Sequence, residues 1–131
     1  MLFSAITFAD VAIGAMLAFG AILLVISFIV VVLLESLALK LLKWNGYWRS
    51  LWASFLMNLV STLVGLPLML LPISANPVMY LPVTWGLSVI IEGSILILMK
   101  RSGGRQNWIA AIIANIASYI LLMLLLLVMS L

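Results

Sequence analysis

Six basic residues, gathered into two short clusters, divide this chain into apolar runs too long for any soluble fold of its size. Lys40, Lys43 and Arg49 form one cluster; Lys100, Arg101 and Arg105 form the other. The first run, Val11 to Leu42, meets only Glu35 before Lys40 is reached. The second spans roughly Trp48 to Leu71 and closes on Pro67 and Pro72. The third extends from about Tyr80 to Met99, and the fourth from about Asn107 to Leu131. A helix crosses the hydrocarbon of a bilayer in about 20 residues. The spacing therefore predicts an all-α integral membrane protein with four transmembrane helices. Lipid must be the solvent, because 68% of the 131 residues are hydrophobic and 7% are charged. Small soluble domains bury the smallest fraction of their surface and have nowhere to put that much apolar area.

The first run exceeds one span. It is expected to tilt, to bend near Gly14 or Gly20, or to begin on the membrane surface. Met1 to Asp10 holds no Lys or Arg, so a cleaved signal peptide is not expected and the first helix is read as a retained span. The links are short. Trp44–Tyr47 and Ser102–Gly104 read as turns that use glycine where positive φ is needed, and Ile73–Met79 reads as an uncharged loop. Both basic clusters join one span to the next, the first to the second and the third to the fourth. The positive-inside rule puts them in the cytoplasm and both termini outside, in the cell's inner (plasma) membrane. Trp44, Trp48 and Trp108 at the basic side, and Tyr80 at the other, read as interface anchors.

An offset of 57 positions aligns Glu35 with Glu92, Lys43 with Lys100, Gly46 with Gly103, Ala53 with Ala110, Asn58 with Asn115 and Ser61 with Ser118. Polar matches carry weight where polar residues are scarce. The chain thus reads as one membrane domain, residues 1–131, built from two hairpin repeats, about 11–72 and about 78–131. Two spans return the chain to its starting side, so the repeats are parallel. They would be related by a pseudo-two-fold along the membrane normal.

Each Glu precedes its cluster's Lys by eight residues, and each Asn follows its cluster's Arg by nine or ten. At 1.5 Å per residue, acid and amide lie level, about 12–15 Å inside the basic boundary. Ser61 and Ser118 follow on the same helix face as the amides. Two clusters are expected: Glu35 with Asn58 and Ser61, and Glu92 with Asn115 and Ser118. A buried carboxylate costs about 2.5–3.5 kcal/mol even on lenient insertion scales, so it must bind a proton, hold a cation or collect donors. Small residues on the second span (Ser54, Asn58, Ser61, Thr62, Gly65) and the fourth (Ala110, Ala111, Ala114, Asn115, Ser118) predict close helix packing. Gly86, Gly93 and Ser94 read the same way on the third.

Chemistry is bounded by absence. With no Cys and no His there is neither thiol nor imidazole, and no metal or cofactor is expected. Asp10 is the one Asp, so an intramembrane aspartyl pair is missing. No base stands beside a serine nucleophile, and no phosphate-cradling glycine loop occurs. The basic clusters read as topology signals in contact with lipid rather than as a nucleic-acid surface. The eight Met read as apolar filler rather than ligands.

The stretch from Glu35 through Ser54–Gly65, SFLMNLVSTLVG, resembles small membrane proteins of the filament-integrity family of filamentous cyanobacteria. The resemblance rests on the intramembrane acid and on Asn58-Leu59, Ser61-Thr62 and Val64-Gly65. It implies a structural role at cell–cell contacts or in envelope assembly, without catalysis. From residues and resemblance together, the expectation is a non-enzymatic scaffold or accessory subunit, partnered by lipid and by other membrane subunits or copies of itself. The alternative is a small proton- or cation-coupled transporter or channel using Glu35 and Glu92.

Overall fold

The computed structural model describes residues 2–129, and their side chains from Leu17 onward except at positions 77, 122, 125, 126 and 129. All four long elements are helices: α1 (Leu2–Leu41), α2 (Tyr47–Leu68), α3 (Pro77–Met99) and α4 (Gly104–Met129), with a 3-10 turn at Pro72–Ala75. Three stretches among the described residues are long and apolar enough to cross a membrane: Leu17–Leu41, Tyr47–Leu68 and Val78–Met99. The chain divides into two compact units, Met1–Val30 and Val31–Leu131. The first is a single helical stretch of α1, unbroken at Gly20. The expectations placed on Asp10 and Gly14 lie outside the described side chains. The second unit holds the packing that matters below.

The helix ends follow from local chemistry. α1 closes in a Schellman motif: Trp44 N–H bonds Leu39 C=O at 3.0 Å and Lys43 N–H bonds Lys40 C=O at 2.9 Å. Lys43 takes the left-handed conformation this needs, φ 55°, whereas Gly46 has φ −62°. Glycine was expected to supply positive φ in this turn, yet a lysine does. The apolar Leu39–Trp44 contact holds the motif closed, both side chains lying in one buried cluster. In the other turn the expectation and the structure agree, with Gly103 at φ 81°.

Pro67 lies inside α2, where it removes a backbone donor. The last turn then tightens, with Met69 N–H reaching Leu66 C=O and Leu70 N–H reaching Pro67 C=O. The stretch read as the loop Ile73–Met79 is mostly helical. Asn76 caps α3 by accepting from the Val78 N–H at 3.2 Å, and Pro77 takes the first helical position with its φ already suited to it. Only Asn76 itself is extended between the 3-10 turn and α3.

Each helix turns one stripe inward at i, i+3, i+4, i+7 spacing. On α1 the buried positions are Val32, Glu35, Ser36 and Leu39; on α3 they are Val89, Glu92, Gly93 and Leu96. α2 buries Ser50, Ala53, Ser54, Met57 and Asn58. α4 buries Asn107, Ala110, Ala111, Ala114, Asn115 and Ser118. The small residues expected on α4 are all inside, whereas on α2 Thr62 is exposed. Gly93 is where the backbone approach is closest, because a Cβ there would collide with the Trp108 ring. Gly86 meets no such neighbour, and Ser94 is exposed and bonds its own helix at Ile90.

Candidate functional site: a buried acid–amide–serine cluster

Glu35 and Glu92 are 1% and 2% exposed. Both acids sit on the inward stripe of their helix, and each meets the asparagine of the following helix. Asn58 Nδ2 donates to Glu35 Oε2 at 2.5 Å, and Asn115 Nδ2 donates to Glu92 Oε2 at 2.6 Å. Each amide spends its other N–H on its own helix one turn back, on Ser54 C=O at 2.9 Å and Ala111 C=O at 3.0 Å. That second bond locks the side chain, so each amide is aimed at the acid before they meet. Ser54 Oγ adds a bond across to Val32 C=O at 2.9 Å, and so fastens α2 to α1 at the same depth.

The serines depart from expectation. Ser61 was assigned to Glu35, but its Oγ lies 2.9 Å from Glu92 Oε1. Ser118 was assigned to Glu92, but its Oγ bonds Asn115 C=O on its own helix at 3.1 Å. The two clusters are linked: each acid takes its amide from its own hairpin, and Glu92 takes a hydroxyl, Ser61, from the other. Helical rise fixes depth but not rotation between hairpins. The i+3 step from amide to serine turns the Ser61 hydroxyl past Glu35 toward the neighbouring pair. Asn58 and Ser61, one turn apart on α2, thus contact acids from two different helices.

Hydroxyl counting constrains the chemistry. Ser61 Oγ is 2.8 Å from Met57 C=O as well as 2.9 Å from Glu92. Ser118 Oγ is 3.1 Å from Asn115 C=O. A hydroxyl owns one proton. Ser61 serves both neighbours in full only when Glu92 carries a proton and donates it to Oγ, while the serine donates to the carbonyl. Every buried side-chain polar atom among the described residues has a partner.

The basic residues gather at the α1–α2 and α3–α4 turns, and two of them reach inward. Lys100 Nζ donates to Trp44 C=O at 2.8 Å and to Gln106 Oε1 at 3.0 Å, and lies 5.9 Å from the Trp44 ring centroid. Arg49 donates to Met99 C=O at 3.0 Å, which ties α2 to the end of α3. Lys40, Lys43, Arg101 and Arg105 are exposed, with Lys40 Nζ 5.3 Å from the Tyr47 ring centroid.

Trp44 is not the interface anchor it was expected to be. It is buried at 1% exposure, and its indole N–H donates to Asn107 Oδ1 at 2.7 Å. Asn107 in turn donates to Lys100 C=O at 2.7 Å. Trp48, 78% exposed, does present an outward ring, and Trp108 is partly exposed. Asn107 was not singled out from the sequence, although the signal was there. It stands at the head of the i, i+3, i+4, i+7, i+8, i+11 stripe that ends in Asn115 and Ser118.

No family model matches the chain, and neither does any curated protein or solved structure.

Proposed function

We propose that this chain is a four-span membrane protein of the inner (plasma) membrane, made of two parallel hairpin repeats, that acts without catalysis as a scaffold or accessory subunit of a larger membrane assembly. The three span-length helices support the membrane reading, and α4, 26 residues long, continues the pattern. Burial supports the duplication. Glu35/Glu92, Leu39/Leu96, Ala53/Ala110 and Asn58/Asn115 are buried in pairs at the 57-residue offset. The two turns differ in backbone, since Lys43 is left-handed and its counterpart Lys100 is extended, so duplication extends to the helices rather than the loops. The resemblance of Glu35–Gly65 to filament-integrity proteins points in the same structural direction.

One observation carries the scaffold reading: both acids are engaged by amides from neighbouring helices, and Glu92 by the Ser61 hydroxyl as well. Polar contacts of this kind supply register where lipid gives apolar side chains no preferred partner. A second reading, a proton- or cation-coupled transporter, is favoured by the contacts α2 makes with both carboxyls through Asn58 and Ser61. Replacing both acids, Glu35→Gln and Glu92→Gln, separates the two. The amide retains shape and hydrogen bonding and removes titration. On the scaffold reading, partners that copurify from native membrane remain and ion flux in reconstituted vesicles is absent before and after. Flux in the parent protein that vanishes in the double variant, with assembly intact, overturns that reading.

A further inference from the structure

The turn-bearing end of the helices is cationic and contains no acid. Residues 40–49 and 99–107 carry all six basic residues and neither Asp nor Glu. The inward bonds of Lys100 and Arg49 fasten the two turns to each other, since one reaches Trp44 C=O and the other Met99 C=O. Gln106 Nε2 adds a long bond to Lys43 C=O at 3.4 Å. The outward cations are therefore mounted on a braced platform. Lys43 is held by the Schellman motif, while Arg101 and Arg105 flank the Gly103 turn. Just beyond lie outward-facing indoles: Trp48, and one turn further Trp52, stacked on Phe55 at 5.4 Å between ring centroids. Indoles favour the headgroup boundary, where one edge is wet and the ring is apolar.

We propose that this end is a selective docking surface for anionic phospholipids, in which Lys40, Lys43, Arg101 and Arg105 engage headgroup phosphates and Trp48 and Trp52 pack against the adjoining glycerol and upper acyl region. The inference rests on the membrane reading above and goes beyond it, because a topology signal requires only that basic residues be present. A docking surface requires them braced, exposed and free of acidic neighbours in their own turns. Charge complementarity identifies the partner. Four exposed cations from two joined turns face the plane where lipid phosphates lie, and an anionic leaflet adds about fivefold in association per well-placed cation.

The test uses the full chain reconstituted in vesicles of equal zwitterionic and anionic phospholipid. Spin-labelled phosphatidylglycerol and spin-labelled phosphatidylcholine report the lipid that the protein immobilises. The parent protein is expected to prefer the anionic label about fivefold or more at low salt, with the preference shrinking in molar salt. The variant K40Q/K43Q/R101Q/R105Q is expected to bring the ratio to about one while still floating with vesicles. If that variant does not fold, the K40Q/K43Q and R101Q/R105Q pairs and the salt series on the parent chain give the same reading. A ratio of one in the parent, or a preference indifferent to salt and to these replacements, overturns the proposal. So does displacement of the label by a short RNA at equal phosphate, which would assign the surface to nucleic acid. A parent chain that fails to float with vesicles removes the membrane reading, and this proposal with it. Flotation without selectivity removes this proposal alone.

Discussion

Removing the Ser61 hydroxyl tests whether the two hairpins share one polar cluster. In the structure Ser61 Oγ reaches Glu92 Oε1 at 2.9 Å and Met57 C=O at 2.8 Å. Ser61→Ala deletes both bonds. The carbonyl remains within its helix, so the loss falls mainly on the acid. Polar pairs between membrane helices average about 0.6 kcal/mol and reach about 1.7. Because Glu92 keeps its 2.6 Å bond from Asn115, the lower half of that range applies, about 0.6–1 kcal/mol, a factor of roughly three to five in the folding equilibrium. The informative quantity is the coupling. Glu92→Leu replaces the acid with an apolar side chain of similar size, and removing both members of a buried polar pair costs less than removing one. In that background Ser61→Ala should cost almost nothing, giving a coupling of about 0.6–1 kcal/mol between Ser61 and Glu92. In a Glu35→Leu background Ser61→Ala should cost what it costs in the parent. Unfolding in mixed micelles, followed by steric trapping so that the membrane-like reference state is retained, measures all of these. Coupling of Ser61 to Glu35 rather than Glu92 would refute the crossed arrangement. Coupling to neither would refute the contact itself.

The other expectations follow from single contacts. Gly93→Ala should destabilise the protein by about 1–3 kcal/mol in the same assay, as overpacking does, and Trp108→Ala should recover part of the loss, since the indole is the obstacle. Trp44→Phe keeps the apolar ring and strands Asn107 Oδ1, at about 1–3 kcal/mol, without moving the termini across the membrane in an accessibility assay. Gly103→Ala should cost about 1 kcal/mol because φ is 81°, whereas Gly46→Ala at φ −62° in open space should be close to neutral. Infrared difference spectra between the parent and Glu92→Gln at neutral pH should show loss of an un-ionised carboxyl C=O band. Loss of carboxylate bands instead would contradict the hydroxyl count at Ser61.

The pairing of the acids with asparagine was legible because rise per residue is constant and hairpins with short turns bring equal distances from the turn to the same level. Glu35 with Asn58 and Glu92 with Asn115 follow from counting. The reach of Ser61 to Glu92 does not, because it depends on the rotation of one hairpin against the other, which side-chain packing sets. Trp44 shows another limit. A tryptophan beside a basic cluster looks the same in sequence whether it faces lipid or caps a core. Its interior place follows from the Schellman motif, which turns the residue after the left-handed one back onto Leu39. That motif was hidden because Lys43, not glycine, adopts the strained backbone. The helical start at Pro77 was written in the Asn-Pro pair, where a capping side chain precedes a residue suited to the first turn. The uncharged composition of the segment obscured it.

The reach of Ser61 across to Glu92 has a consequence for how such a protein can be divided. The second hairpin's acid takes a hydroxyl from the first, so the second is not chemically complete alone. A chain cut in the 3-10 turn at Pro72–Ala75 would still own both ends of this bond, one on each fragment. Its fragments have reason to find one another through that contact.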